Sequence, residues 1–162
     1  MWSTSRGTWV IVVTLMASLC LSAMPLAESF QMARPEWVAL VLIYWIIALP
    51  HRVGILSAWI LGIAMDLLHG HLLGYSGLVL VIIAFFAQHL YQRMRMYLIW
   101  QQSLVIFLLI GIGQFLKYLI EAVLVGYAPH NYMYLLPAVI SALIWPLLYV
   151  ILRALRRHYD VM

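Results

Sequence analysis

Residues 34–54 have the sequence RPEWVALVLIYWIIALPHRVG, in which an uninterrupted apolar run ends in a short polar turn. Its apolar residues are consecutive, whereas a strand of a membrane barrel alternates apolar and polar residues. Inside a bilayer, only helices and closed barrels satisfy all their backbone hydrogen bonds. Runs of the same kind recur along the chain, and we therefore expect an all-α fold.

The composition places the chain in a membrane. Of its 162 residues, 67% are hydrophobic and 9% are charged, whereas a soluble domain carries about 25% charged residues. This is too little polar surface to cover a particle that faces water, so we expect an integral membrane protein. The net charge of +4 comes almost entirely from arginine. In such a protein, arginine indicates orientation and contact with anionic lipids rather than binding of nucleic acid.

Six apolar runs are candidates for membrane-spanning helices, which need about 20 residues each. They cover residues 8–27, 35–50, 53–72, 74–92, 98–125 and 132–152, within a single polytopic membrane domain, 1–162. The second run is short for a full crossing, and the fifth is long enough to tilt. We expect the first run to be retained as a span, because Leu21 stands where a signal-peptide cleavage site needs a small residue.

The distribution of arginine predicts that both termini are cytoplasmic. With six spans and an inner N-terminus, seven arginines fall in inner segments, while the outer segments hold only Arg34. This asymmetry follows the positive-inside rule. The inner residues are Arg6, Arg52, Arg93, Arg95, Arg153, Arg156 and Arg157. We interpret all of these except Arg6 as contacts to anionic lipids or to a cytoplasmic partner.

Three charged residues lie well inside the predicted spans: Asp66 in the third, and Lys117 and Glu121 in the fifth. A charge inside the membrane is costly unless it has a partner. One interpretation is a charge cluster, Asp66–Lys117–Glu121, that joins the third and fifth spans. A second is that Lys117 and Glu121 extend to the outer surface, which leaves Asp66 hydrogen-bonded or protonated. A third is a site for a substrate or a proton.

Small residues surround Asp66. Gly62 and Gly70 lie four residues before and after it, a spacing that allows helix backbones to approach closely. We therefore predict a close-packed helix seam that is fixed by one carboxylate. His69 and His71 follow, but on a continuous helix they would point in different directions, so we expect a polar cap rather than a metal site. We expect no cofactor.

The sequence contains no recognisable catalytic arrangement. It lacks a serine–histidine pair at a familiar spacing, an H-E-x-x-H motif and a paired acidic motif, so we expect a non-enzymatic protein. All connections are short, which leaves transport, intramembrane catalysis or assembly with partners as the classes of function. A transporter's substrate-binding subunit would have to line its pocket with Asp66, Lys117, His69, His71 and Gln114. An intramembrane enzyme would have to rely on Asp66.

Three stretches carry a resemblance: residues 34–54, GIAMDLLHGHLLG (62–74) and LIWQQ (98–102). Their ALPHRV turn and their G-x-x-x-D-L-x-x-G-x-x-L-G pattern resemble the proteobacterial form of the MreD family of rod shape-determining membrane proteins. In the third span the family pattern selects Gly62, Asp66, Gly70 and Gly74. Around the ends of spans it selects Arg34, Pro35, Trp37, Pro50, His51, Arg52, Trp100 and Gln101.

The resemblance implies a non-enzymatic scaffold subunit of the elongasome, in the inner (cytoplasmic) membrane of a rod-shaped bacterium. It would support side-wall peptidoglycan synthesis by binding the transmembrane helix of MreC. MreB, RodA and a class B penicillin-binding protein would be partners, directly or through MreC, with a homodimer left open. The resemblance also implies a six-helix fold similar to the substrate-binding membrane subunits of energy-coupling-factor transporters.

Overall fold

The structure is a computed structural model that describes residues 7–25, 34–70, 72–126 and 132–161; in these residues every regular element is helical. The predicted His71 and Arg6 lie outside the described residues. The six α-helices are α1 (Thr8–Ala23), α2 (Trp37–Ala48), α3 (Ile55–His69), α4 (Tyr75–Met96), α5 (Ile99–Val125) and α6 (Leu136–His158), with a 3₁₀ turn, Tyr132–Leu135, before α6. The all-α prediction is confirmed.

The helices differ in length. With 22, 27 and 23 residues, α4, α5 and α6 are long and apolar enough to cross a membrane. The first three helices have only 16, 12 and 15 residues. At 1.5 Å per residue, α2 is about 18 Å long, against a hydrocarbon core of about 30 Å. The described residues therefore form six α-helices, whereas six complete crossings remain a prediction.

Helix α2 is the centre of the fold. Every residue from Val38 to Ala48 is buried, and the helix packs against α1, α4 and α6. The indole Nε1 of Trp45 donates a hydrogen bond to Thr14 Oγ1 of α1 at 2.9 Å. Lipid tails would accept the apolar surface of α2 as readily as protein does. Its enclosure therefore depends on close packing and on polar contacts of this kind.

Glycines allow the closest helix contact. A Cβ built on Gly62 of α3 would lie 2.1 Å from the Cα of Gly77 on α4, so this crossing requires a residue without a side chain. On α5, a Cβ at Gly113 would lie 2.7 Å from Ile83 Cδ1 of α4. The structure thus has a close-packed seam at the third helix, where the spacing of small residues predicts one.

The two described chain ends lie at the same end of the bundle. The ring of Trp9 packs edge-on against that of Tyr159, with 4.8 Å between centroids, and Gly7 lies against Val161. We call this the terminal end. Helices alternate in direction along the chain, so the start of α2 and the end of α3 lie at the opposite end, which we call the distal end. This arrangement is what two termini on one side of a membrane require.

Candidate functional site

Asp66 lies in the last turn of α3, at the distal end, and is completely buried. Its carboxylate accepts the backbone N–H of Gly74 at 2.9 Å and that of Ser76 at 3.0 and 3.2 Å. These amides belong to the start of α4, among the N–H groups that a helix leaves without internal partners. Asp66 therefore caps α4 from the preceding helix, and its negative charge faces the positive end of the helix dipole.

The three glycines of the family pattern shape the hairpin formed by α3 and α4. Gly70 ends α3 with φ of 70°, and Gly74 precedes α4 with φ of 95°. Both lie in the left-handed region, which glycine adopts without steric cost. Gly62 provides the close contact with α4. The G-x-x-x-D-L-x-x-G-x-x-L-G pattern therefore specifies one helical hairpin, α3–α4.

Lys117 forms an ion pair at the distal end with Glu36, the residue before α2. Lys117 Nζ lies 3.3 Å from Glu36 Oε1, and each side chain is about one-fifth exposed. Gln114 Nε2 donates to the same oxygen at 2.7 Å. The backbone N–H of Glu36 donates to Ser141 Oγ of α6 at 3.0 Å. These contacts hold the entry of α2 against α5 and α6.

The predicted Asp66–Lys117–Glu121 cluster is therefore corrected. The carboxylate of Asp66 is occupied by backbone amides, and Lys117 pairs with Glu36 instead. Glu121 is exposed and accepts a hydrogen bond from the Tyr75 hydroxyl at 2.9 Å. The physical reason is that the start of α4 offers Asp66 several aligned donors without the desolvation of a second charge.

His69 connects α3 to α1. Its Nδ1 lies 2.9 Å from the carbonyl oxygen of Met65, and its Nε2 lies 3.3 Å from that of Ser22. A neutral imidazole carries a single N–H, so both contacts are hydrogen bonds only when the ring is protonated. The ring thus lies against backbone carbonyls at the distal surface.

At the terminal end, Arg95 caps the central helix. Its Nε donates to the carbonyl of Ile47, and its Nη2 donates to that of Ala48, both at 2.9 Å. These carbonyls are among those that the C-terminus of a helix leaves unpaired, and a cation there also opposes the helix dipole. Arg95 thus closes the end of α2 as Asp66 closes the start of α4.

Of the other described basic residues, two line a cleft beside Arg95 and the rest lie outside it. Arg153 and Arg156 of α6 line a cleft beside Arg95, which we call the basic cleft, whereas Arg157 lines only the adjoining cavity. Arg93 is exposed on α4, and Arg52 is half-buried between α2 and α3. The basic cleft has a volume of about 330 Å³ and is lined by Tyr44, Ile47, Ala48, Arg95, Gln102, Tyr149, Arg153 and Arg156.

Gln102 is a buried polar residue that the sequence patterns did not identify. Its amide donates to the carbonyl of Met94 at 2.8 Å, and its oxygen accepts the indole N–H of Trp145 at 3.3 Å, which joins α4, α5 and α6. Its neighbour Gln101, which the resemblance selects, instead caps its own helix by accepting the N–H of Leu98. The cost of a polar side chain among apolar ones could have identified Gln102.

The comparisons with known proteins agree with the resemblance. The family model described as rod shape-determining protein MreD matches residues 3–155. The rod shape-determining protein MreD of Haemophilus influenzae is 33% identical over 156 residues, which cover 96% of this chain and 92% of that protein. No solved structure matches, so the likeness to subunits of energy-coupling-factor transporters remains a prediction. The chain belongs to the MreD family of rod shape-determining membrane proteins.

Proposed function

We propose that this protein is a non-enzymatic, multi-pass scaffold subunit of the elongasome in the bacterial inner membrane. It maintains rod shape and side-wall peptidoglycan synthesis by binding MreC, and through MreC or directly it works with MreB, RodA and a class B penicillin-binding protein. Membership of the MreD family supports a role in cell shape, and three long apolar helices support a membrane location.

One observation carries the scaffold proposal: three polar side chains from the interior of the bundle bond to other parts of the same chain. Asp66 binds backbone amides, Lys117 binds Glu36, and Gln102 bridges α4 and α6. A catalytic or transport site needs polar groups directed at a space that a substrate can enter. These groups are directed at the protein, which leaves its lateral apolar surface to bind a partner.

The same observation weighs against the alternative, a substrate-binding subunit of a vitamin-like transporter. The cavity beside Glu36, Gln114 and Lys117 has a volume of about 10 Å³, which is room for about one water molecule. Pockets for small molecules have volumes of about 300–1,000 Å³. In the described part of the chain, the residues predicted to line a pocket do not enclose one of that size.

A lateral groove offers a place for the transmembrane helix of MreC. It lies on α5 and α6 with a volume of about 560 Å³, and its lining is almost entirely apolar: Leu98, Ile99, Trp100, Ser103, Ala142, Leu143 and Pro146. Helices in lipid associate by close packing, which small residues permit. Ser103 and Ala142 provide that close approach at the groove.

The proposal is tested by a substitution that fills the groove with a larger side chain. Ala142→Trp should lower the amount of MreC that co-purifies from native membranes about tenfold, equivalent to about 1.4 kcal/mol of binding free energy. Ala17→Trp is the matched control, because Ala17 is an exposed alanine on α1, and it should leave the MreC ratio and rod shape unchanged.

Two outcomes would contradict the proposal. Undiminished recovery of MreC with Ala142→Trp would show that this groove does not hold the partner. Recovery of an ATPase module with its coupling membrane subunit, in place of MreC, would establish the transporter alternative.

A further inference from the structure

Three arginines converge on the basic cleft at the terminal end of the bundle. Arg95 comes from α4, while Arg153 and Arg156 come from successive turns of α6. No carboxylate lines this cleft among the described residues; Asp160 lines only the adjoining cavity. The cleft therefore concentrates positive charge at one point of the surface, and attraction of this kind favours an anionic ligand.

Arg95 is held in place before any ligand binds. Two of its N–H groups are fixed by the carbonyls of Ile47 and Ala48 at 2.9 Å, and its guanidinium lies 5.4 Å from the ring centroid of Tyr91. A guanidinium has five N–H donors in a rigid plane. The donors not used by the helix carbonyls remain for a ligand, and their geometry is fixed in advance.

The two arginines that α6 contributes to the cleft lack acidic partners in the described part of the chain, where the ion pair that forms is that of Lys117 with Glu36. Arg156 is half-buried, interacts with the Tyr44 phenol, and donates through Nε to the carbonyl of Val161 at 3.4 Å. Arg153 is exposed at the rim of the cleft. An anion in the space of about 330 Å³ that these cations surround would reduce their mutual repulsion.

We propose that the basic cleft binds a phosphate group that belongs to the headgroup of an anionic phospholipid. Several arginine forks, with tyrosine hydroxyls beside them, match the oxygens of a phosphate. The end of a membrane bundle is where lipid headgroups lie. This proposal does not depend on MreC.

The test titrates the purified full-length protein, in neutral detergent micelles, with phosphatidylglycerol, phosphatidylcholine or inorganic phosphate. Binding is measured by native mass spectrometry and by the shift in thermal unfolding. Arg153→Gln should raise the half-saturating concentration of phosphatidylglycerol about tenfold, because it removes a charge-assisted contact. Arg153→Lys, which keeps the charge but loses the fork, should give an intermediate increase. Arg93→Gln removes the same charge from an exposed position on α4 and should change binding less than about twofold.

Three outcomes would overturn the proposal. Equal weakening by Arg153→Gln and Arg93→Gln would mean that general charge, rather than the cleft, attracts the lipid. Equal binding of phosphatidylcholine would mean that acyl chains alone determine the affinity. Binding of inorganic phosphate that depends on Arg153, without binding of phosphatidylglycerol, would assign the cleft to a soluble phosphate compound and not to a lipid.

Discussion

The capping of α4 by Asp66 leads to a quantitative prediction. Asp66→Leu keeps a side chain of similar size but removes every acceptor from a site that is completely buried. The N–H groups of Gly74 and Ser76 would then point at a hydrocarbon side chain. Water does not reach this position readily, so we expect the turn to lose its bonds without replacement.

The magnitude follows from the number of bonds lost. Leaving a buried donor unsatisfied costs roughly 1–3 kcal/mol, and Asp66 serves two backbone N–H groups. Asp66→Leu should therefore lower the free energy of unfolding by about 2–6 kcal/mol. Asp66→Asn keeps one acceptor oxygen but loses the charge that faces the helix dipole. It should therefore lower the free energy of unfolding by about half as much as Asp66→Leu.

The measurement is unfolding of the purified protein in mixed micelles by titration with sodium dodecyl sulfate, followed by circular dichroism. Asp160→Asn is the matched control, because it removes a carboxylate from an exposed residue at the terminal end, and it should change the free energy of unfolding by less than about 0.5 kcal/mol. If Asp66→Leu unfolded at the same midpoint as this control, the carboxylate would not stabilise the hairpin and the reasoning would be refuted.

Two further predictions use the same unfolding measurement. A methyl group at Gly62 would lie 2.1 Å from the backbone of α4, so Gly62→Ala should lower the free energy of unfolding by about 3 kcal/mol. Gly70→Ala meets open space and only opposes a φ of 70°, so it should lower the free energy of unfolding by about 1–2 kcal/mol. Equal losses for the two variants would contradict the close-packed seam at Gly62. Glu36→Gln leaves the partly buried Lys117 without its counter-ion and should lower the free energy of unfolding by about 1–3 kcal/mol. Adding Lys117→Met should restore part of that loss. Strictly additive losses would show that the two side chains are not coupled.

The sequence predicts the helices well, because continuous apolar runs in a chain of this composition have few other solutions. Their ends are less predictable. Helix α6 begins at Leu136, after a 3₁₀ turn that lies within the predicted span 132–152, and it continues beyond that span to His158. The short span predicted at 35–50 becomes α2, whose enclosure by three helices no local pattern could indicate, since lipid and protein interiors are equally apolar.

The partners of the charged residues were not predictable for a different reason. Sequence spacing places Lys117 and Glu121 on one helix face, but it gives no information on which segment arrives beside them. Glu36 lies at the start of the predicted second span, 35–50, and it reaches Lys117 across 81 positions of the chain. The hairpin residues were easier, because Gly70, Gly74 and Asp66 act within a short, continuous segment.

Three polar residues of this chain have one physical property in common: they satisfy the ends of helices. Asp66 binds the start of α4, and Gln101 binds the start of α5. Arg95 does the same for the end of α2. In a bilayer, unpaired backbone groups are unfavourable by several kcal/mol each. In a chain whose helices differ in length, a nearby polar group must therefore bond to the backbone groups at each helix end. Polar groups used in this way build a rigid bundle and leave its lateral surface apolar. A rigid bundle with an apolar lateral surface is suited to a protein that recognises another membrane helix by shape.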